Sequence, residues 1–212
     1  MSDYQDWTLK RFAEETAGSS PAPGGGSVGA YAGALAAALS EMVANLTIGK
    51  KGFEDREAQM KALRDEAASL RKELLDDIRK DSESFNRYME ALRMPKDTEE
   101  QKAVRSEKMQ EGLKAAAQVP LQAAETAVRI FPIAEAVVRD GNQNAVTDGL
   151  VSALLARSAV LGILLNVKIN LASIRDEAFV NTYSTRVKQL EQTAVEGEKA
   201  VLSLSEFTSG TE

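Results

Sequence analysis

From residue 55 to residue 92 the chain has neither Pro nor Gly, and apolar side chains recur at steps of three and four: Leu63, Ala67, Leu70, Leu74, Ile78, Phe85, Tyr88 and Leu92. That period draws one stripe along a single long helix with a polar outer face. Residues 28 to 49 follow another rule. Small and apolar side chains occupy every face there and Glu41 is the only charge, the pattern of a helix surrounded by protein. Gly29, Gly33 and Ala37, four apart, form a ridge that would let a second helix approach closely. Residues 144 to 174 are apolar apart from Asp148, Arg157 and Lys168, which predicts a second buried helix.

Shorter signals frame these three. Ser2 and Gln5 read as a capping box for a short first helix carrying Tyr4, Trp7, Leu9 and Phe12, which Gly18 ends. Residues 93 to 96, Arg-Met-Pro-Lys, break the long helix, and Asp97 with Glu100 reads as the next capping box. A helical region from about 98 to 139 follows, kinked or split by Pro120 and Pro132 and closed by Gly141 and Asn142. Residues 176 to 205 form a last amphipathic helix. The expected fold class is all-α: one domain over residues 1 to 212, a bundle of long helices with two buried central ones. Apolar faces this broad are hard to cover within one chain, so a homodimer or larger assembly is expected.

Composition narrows the chemistry. Aromatic residues are only 5% of the chain, which suits closely packed helices better than a β-sandwich. The net charge of −6 argues against nucleic acid as a partner, which would need a basic surface. There is no cysteine, and the amino terminus lacks the basic-then-apolar order of a signal peptide, so the cytoplasm is the expected location. Charges in mid-span, Glu41 and Arg157, argue against a membrane. Histidine is absent too, which removes the commonest metal ligand and neutral-pH base. No metal is expected, and acid-base work falls to Asp, Glu, Lys or Tyr.

Residues 21 to 27, Pro-Ala-Pro-Gly-Gly-Gly-Ser, are the least ordinary segment. Three glycines before a helix expose backbone amides to an anion or carbonyl oxygen, with Pro23, Gly24, Gly25, Gly26 and Ser27 as binding candidates. The competing reading is a tight turn with Ser27 as N-cap. Asp81 interrupts the apolar stripe between Ile78 and Phe85; it is either a proton-transfer or ligand-gripping carboxylate, or one half of a structural ion pair. Asp148 sits in the first turn of the second buried helix, where the helix dipole alone would explain it. Asn166 and Asn170 share a face of that helix, and Lys96 lies in the break, where it is either solvated or placed to hold a carboxylate tail.

Four stretches in order resemble one family: the glycine-rich turn; residues 81 to 96, from Asp81 to Lys96; residues 141 to 149, Gly-Asn-Gln-Asn-Ala-Val-Thr-Asp-Gly; and residues 165 to 174, Leu-Asn-Val-Lys-Ile-Asn-Leu-Ala-Ser-Ile. It is the cyclodeaminase/cyclohydrolase family acting on tetrahydrofolate, and the resemblance covers roughly residues 5 to 205. It implies an all-helical homodimer that binds a tetrahydrofolate derivative near the glycine-rich turn, as substrate and with no cofactor. The implied reaction forms or opens the 5,10-methenyl ring, as a formiminotetrahydrofolate cyclodeaminase or a methenyltetrahydrofolate cyclohydrolase. On this reading one of Asp81 and Asp148 transfers a proton while the other, with Asn166 or Asn170, orients the pterin, and Asn144 is a further substrate-binding residue. The alternatives are a silent helical dimer binding folate or a partner protein, and a purely structural bundle.

Overall fold

The computed structural model describes residues 4 to 208, and all regular structure among them is helical. Seven α-helices follow one another: α1 Leu9–Thr16, α2 Gly25–Asn45, α3 Glu57–Leu92, α4 Glu99–Val128, α5 Ile130–Asp140, α6 Val146–Leu171 and α7 Glu177–Leu202. Ser2 of the expected first capping box lies outside the described residues. Thr8 caps α1 instead, accepting from the Arg11 N–H. The expected box at Asp97 and Glu100 is displaced by one residue. Thr98 accepts from Gln101 N–H at 3.2 Å, and the Gln101 side chain reaches back to the N–H groups of Asp97 and Thr98.

The two prolines act differently. Pro132 is the third residue of α5, where a missing N–H costs nothing, and it leaves the Val128 carbonyl without a helical donor; the ladder therefore breaks at Arg129. Pro120 lies inside α4, which runs through it. The carbonyl that Pro120 cannot serve is that of Ala116, and the Asn170 side-chain amide of α6 donates to it at 2.8 Å.

α2 and α6 form an antiparallel pair at the centre. Ile163 packs on Gly29, Ala159 on Gly33, and Ser40 Oγ meets Ser152 Oγ at 2.8 Å. The glycine ridge does what its spacing predicts. A Cβ on Gly29 would stand 2.6 Å from Ile163 Cγ1, so we expect Gly29→Ala to lower unfolding stability by about 1–3 kcal/mol through overpacking, measured by urea denaturation. The mid-span charges Glu41 and Arg157 are paired, Glu41 with Arg71 at 2.7 Å and Arg157 with Glu198 at 3.2 Å.

The expectation that α2 and α6 are enclosed on every side needs correction. Both are long and apolar enough to cross a membrane, and within this fold only 56% of the α2 span and 50% of the α6 span are buried. The uncovered half is itself apolar. Val28, Leu35, Met42 and Leu46 are exposed along α2 and its C-cap, and Val151, Leu154, Leu165 and Ile169 along α6. Steps near three, four and seven put each set on a single stripe, and because the two helices are neighbours the stripes merge into one face.

Candidate active site

A cleft of about 170 Å³ opens where the first turn of α2, the middle of α3 and the C-terminal half of α6 meet, with Ala116 of α4 at its back. The glycine-rich turn builds one wall. Its helix begins earlier than the sequence suggests: Gly24 is the N-cap, Gly25 and Gly26 are the first helical residues, and Ser27 is completely buried within the helix instead of capping it. Gly24 has no side chain to offer the orphan N–H groups of the first turn.

Asp81 supplies what Gly24 lacks. Its carboxylate accepts from Ser27 Oγ at 2.9 Å and from the Ser27 backbone N–H, so a side chain of α3 caps α2 from outside. The approach requires glycine. A Cβ on Gly26 would stand 2.5 Å from Asp81 Oδ1 and 2.7 Å from its Cγ. The N–H groups of Gly25 and Gly26 have no partner within the helix and lie along the cleft.

Opposing influences act on the Asp81 carboxyl. Burial raises its pKa above the usual carboxylate value, the two hydrogen bonds from Ser27 hold it down, and the negative charge of Asp77 pushes it up; the net direction is upward. Asp77, one turn earlier on α3, is raised chiefly by its own burial, against the pull of the Lys80 ammonium 2.8 Å away. A carboxyl held this way can carry a proton at higher pH than a solvated aspartate, which suits it to give or take one.

Asn166 lies against Gly25, its amide nitrogen 3.3 Å from the position a Cβ would take, and donates to the Gly162 carbonyl. Asn170 spends both N–H groups on the carbonyls of Ala116 and Asn166, which leaves its oxygen as the group a ligand would meet. Both asparagines line the cleft, as do Gly24, Gly25, Gly26 and Asp81. Pro23 is buried behind the turn.

Three expected site residues lie elsewhere in the chain. Asp148 is eighteen positions before Asn166 on α6, about 27 Å along the axis at 1.5 Å per residue, and is partly exposed at the far end of the central pair. Asn144 is exposed beside it, its N–H turned to Asn142 Oδ1. Lys96 is exposed beyond the end of α3. Conversely, Ser82, Ser84, Phe85, Ala116 and Ile169 line the cleft without having been singled out as site residues. Phe85 and Ile169 follow Asp81 and Asn166 on the same helix faces, a signal the sequence contains; Ala116 is placed only by the packing of α4 on α6.

A profile of the family described as formiminotransferase-cyclodeaminase matches residues 8–189. The methenyltetrahydrofolate cyclohydrolase of Methylorubrum extorquens is 40% identical over 184 residues, which are 87% of each chain. The formimidoyltransferase-cyclodeaminase of Gallus gallus is 37% identical over 93% of this chain, which spans 37% of that longer protein. Among solved structures, that of a formiminotetrahydrofolate cyclodeaminase from Thermotoga maritima superimposes with a TM-score of 0.87 and 32% identity, covering 97% of this chain and 98% of that one.

Proposed function

This chain belongs to the formiminotransferase-cyclodeaminase family, and from that membership and the cleft's geometry we propose that it is an enzyme of folate one-carbon chemistry that opens or closes the 5,10-methenyl ring of tetrahydrofolate. The observation that carries the assignment of roles is the Asp81 carboxyl beside the bare amides of the glycine turn.

Hydrolysis of the methenyl compound is the primary reading, supported by the cyclohydrolase relative matched along nearly all of both chains. Water adds to the cationic carbon between N5 and N10 and loses a proton. Asp81, as carboxylate, stabilises the cation and takes that proton, leaving a hydroxyl on the carbon. The C–N5 bond then breaks as N5 receives a proton and the hydroxyl loses its own to become the formyl C=O, and the neutral 10-formyl product leaves with one proton released overall. The Gly25 and Gly26 N–H groups suit the oxygen on which negative charge develops, or a carbonyl of the pterin. Asn166 and the Asn170 oxygen supply complementary groups for the pterin's ring edge.

The fold likeness to a cyclodeaminase favours a second reading with the same parts. There N10 attacks the formimino carbon, and the nitrogen that departs as ammonia needs a proton, which Asp81 in its protonated form can give. Incubation with each compound distinguishes the two. The methenyl absorbance is expected to fall when the methenyl compound is supplied; on the second reading it grows from the formimino compound with release of ammonia. Absence of both changes in the presence of purified protein would sink the assignment.

The working unit on this reading is a homodimer. What supports it is the merged apolar face of α2 and α6, too extensive to suit a lone soluble chain. The same pairing lets both helices serve as core of a soluble, cytoplasmic assembly instead of membrane spans.

A further inference from the structure

We propose that a second copy of this chain, seated antiparallel on the α2/α6 face, carries its own Asp148 into the glycine-turn cleft, so that each active site is built from two chains. This rests on the folate reading for what the site does and on the face itself for where the second chain goes.

The cleft is incomplete in one chain. Among the described residues that line it, Asp81 is the only titratable side chain, whereas ring opening and closing move one proton off an attacking group and another onto a leaving nitrogen. The cleft is also open along one edge. Its rim residue Ile169 is 71% exposed, and its neighbour on the stripe, Leu165, is 63% exposed. The rim of the cleft and the end of the uncovered apolar face are therefore the same surface.

Gly162 indicates where the second chain crosses. It lies inside α6, where glycine is less favourable than alanine, yet a Cβ there would meet nothing within 4 Å in this chain. Together with Ser158, one turn earlier, it forms a small-residue site in the middle of the exposed stripe, between Leu154 and Leu165. A second helix passing at that point would explain the glycine.

A two-fold axis through this point and across the helices sets position j of α6 against position 320 − j of its copy. Val151 then meets Ile169 of the partner subunit, leucines face leucines, and the interface closes as an isologous pair. Asp148 stands on the same stripe, three residues before Val151. It falls within about one helical turn, 5.4 Å along the axis, of Ile169 and Asn170 at the mouth of the other cleft. The 27 Å that separates Asp148 from Asn166 within one chain becomes the distance that joins two.

The chain has no cysteine, which permits a direct test of placement. The double variant Asp148→Cys, Ile169→Cys is expected to form a covalent dimer on mild oxidation. Those positions are about 32 Å apart within one helix, so they cannot bridge inside a chain. Each single variant should remain uncross-linked, since its two copies would stand further apart than a disulfide spans. A two-fold axis parallel to the helices leaves Asp148 at the far end and gives no cross-link; that result, or a monomer in sedimentation analysis, overturns the proposal whether or not folate is the substrate.

Mixing Asp81→Asn with Asp148→Asn, unfolded together and refolded, reads the second half. Random pairing makes half the dimers mixed, each with one intact site, so activity should recover to about one quarter of wild type from two nearly inactive parents. Full activity in Asp148→Asn alone, or no recovery on mixing despite efficient cross-linking, overturns the shared site while leaving the folate assignment standing.

Discussion

Asp81→Asn is expected to lower turnover by about 10²–10⁴-fold while leaving the fold intact, the loss characteristic of removing a positioned acid or base. The amide can still accept from the Ser27 hydroxyl and backbone N–H, so the cap on α2 is retained and only proton transfer is lost. The variant should also be the more stable protein at neutral pH. Because the folded carboxyl has a raised pKa, the native state binds a proton more tightly than the unfolded chain. Its stabilising effect is therefore complete below the ordinary carboxylate value of 3.8 and is lost as pH rises through the folded value. Above that point wild type must hold a poorly solvated charge that the amide avoids. Thermal unfolding followed from pH 3 to pH 8 should show the two proteins converging at the acid end and the variant melting higher at the neutral end. Equal turnover in the two proteins would remove Asp81 from the chemistry; equal melting across the range would mean that its burial costs nothing.

Gly26→Ala should be nearly as damaging to activity, for a geometric reason. The added methyl would occupy space that the Asp81 carboxylate now fills, at 2.5 Å from Oδ1. The side chain can swing aside, but only by giving up its bonds to Ser27 and its place at the amide wall. A shift of about 1 Å at a catalytic group can cost on the order of 10²-fold in rate, and kcat should fall by that much with a smaller change in KM. Stability is a separate readout. The lost cap should cost about 1 kcal/mol, measured by urea denaturation, which is far too little to unfold the chain at assay temperature. A fully active Gly26→Ala protein would show that the contact between the two helices does not hold the reacting group.

The elements of the fold were legible because each rests on local rules. The stripe from Leu63 to Leu92 and the break around Pro95 give α3 to within two residues, and the glycine ridge of α2 meets α6 as its spacing implies. Thr98 and Gln101 replaced Asp97 and Glu100 because two overlapping capping patterns occupy five residues, and only backbone geometry chooses between them. The site was legible in part. Asp81 betrayed itself as a carboxylate on an apolar stripe, and Asn166 as an amide on an apolar helix. Asp148 and Lys96 could not be placed, since helical periodicity assigns a residue to a face and says nothing about which faces meet, or across how many angstroms. Asp77 carries no comparable signal, since an aspartate three residues before a lysine is the ordinary pattern of a solvated helix face, yet it is buried and raises the charge cost of Asp81.

The gap that Pro120 leaves in α4 ties distant parts of the chain together. An imperfection in one helix becomes the anchor of another: the acceptor released at Ala116 holds the Asn170 amide, and with it the back of the cleft is fastened to its side. An unbroken ladder would have consumed that acceptor internally and left the asparagine with only its bond to Asn166 inside its own helix. Positions 120 and 170 therefore share one fate, and any redesign of the substrate wall has to treat a proline that touches no substrate as part of it.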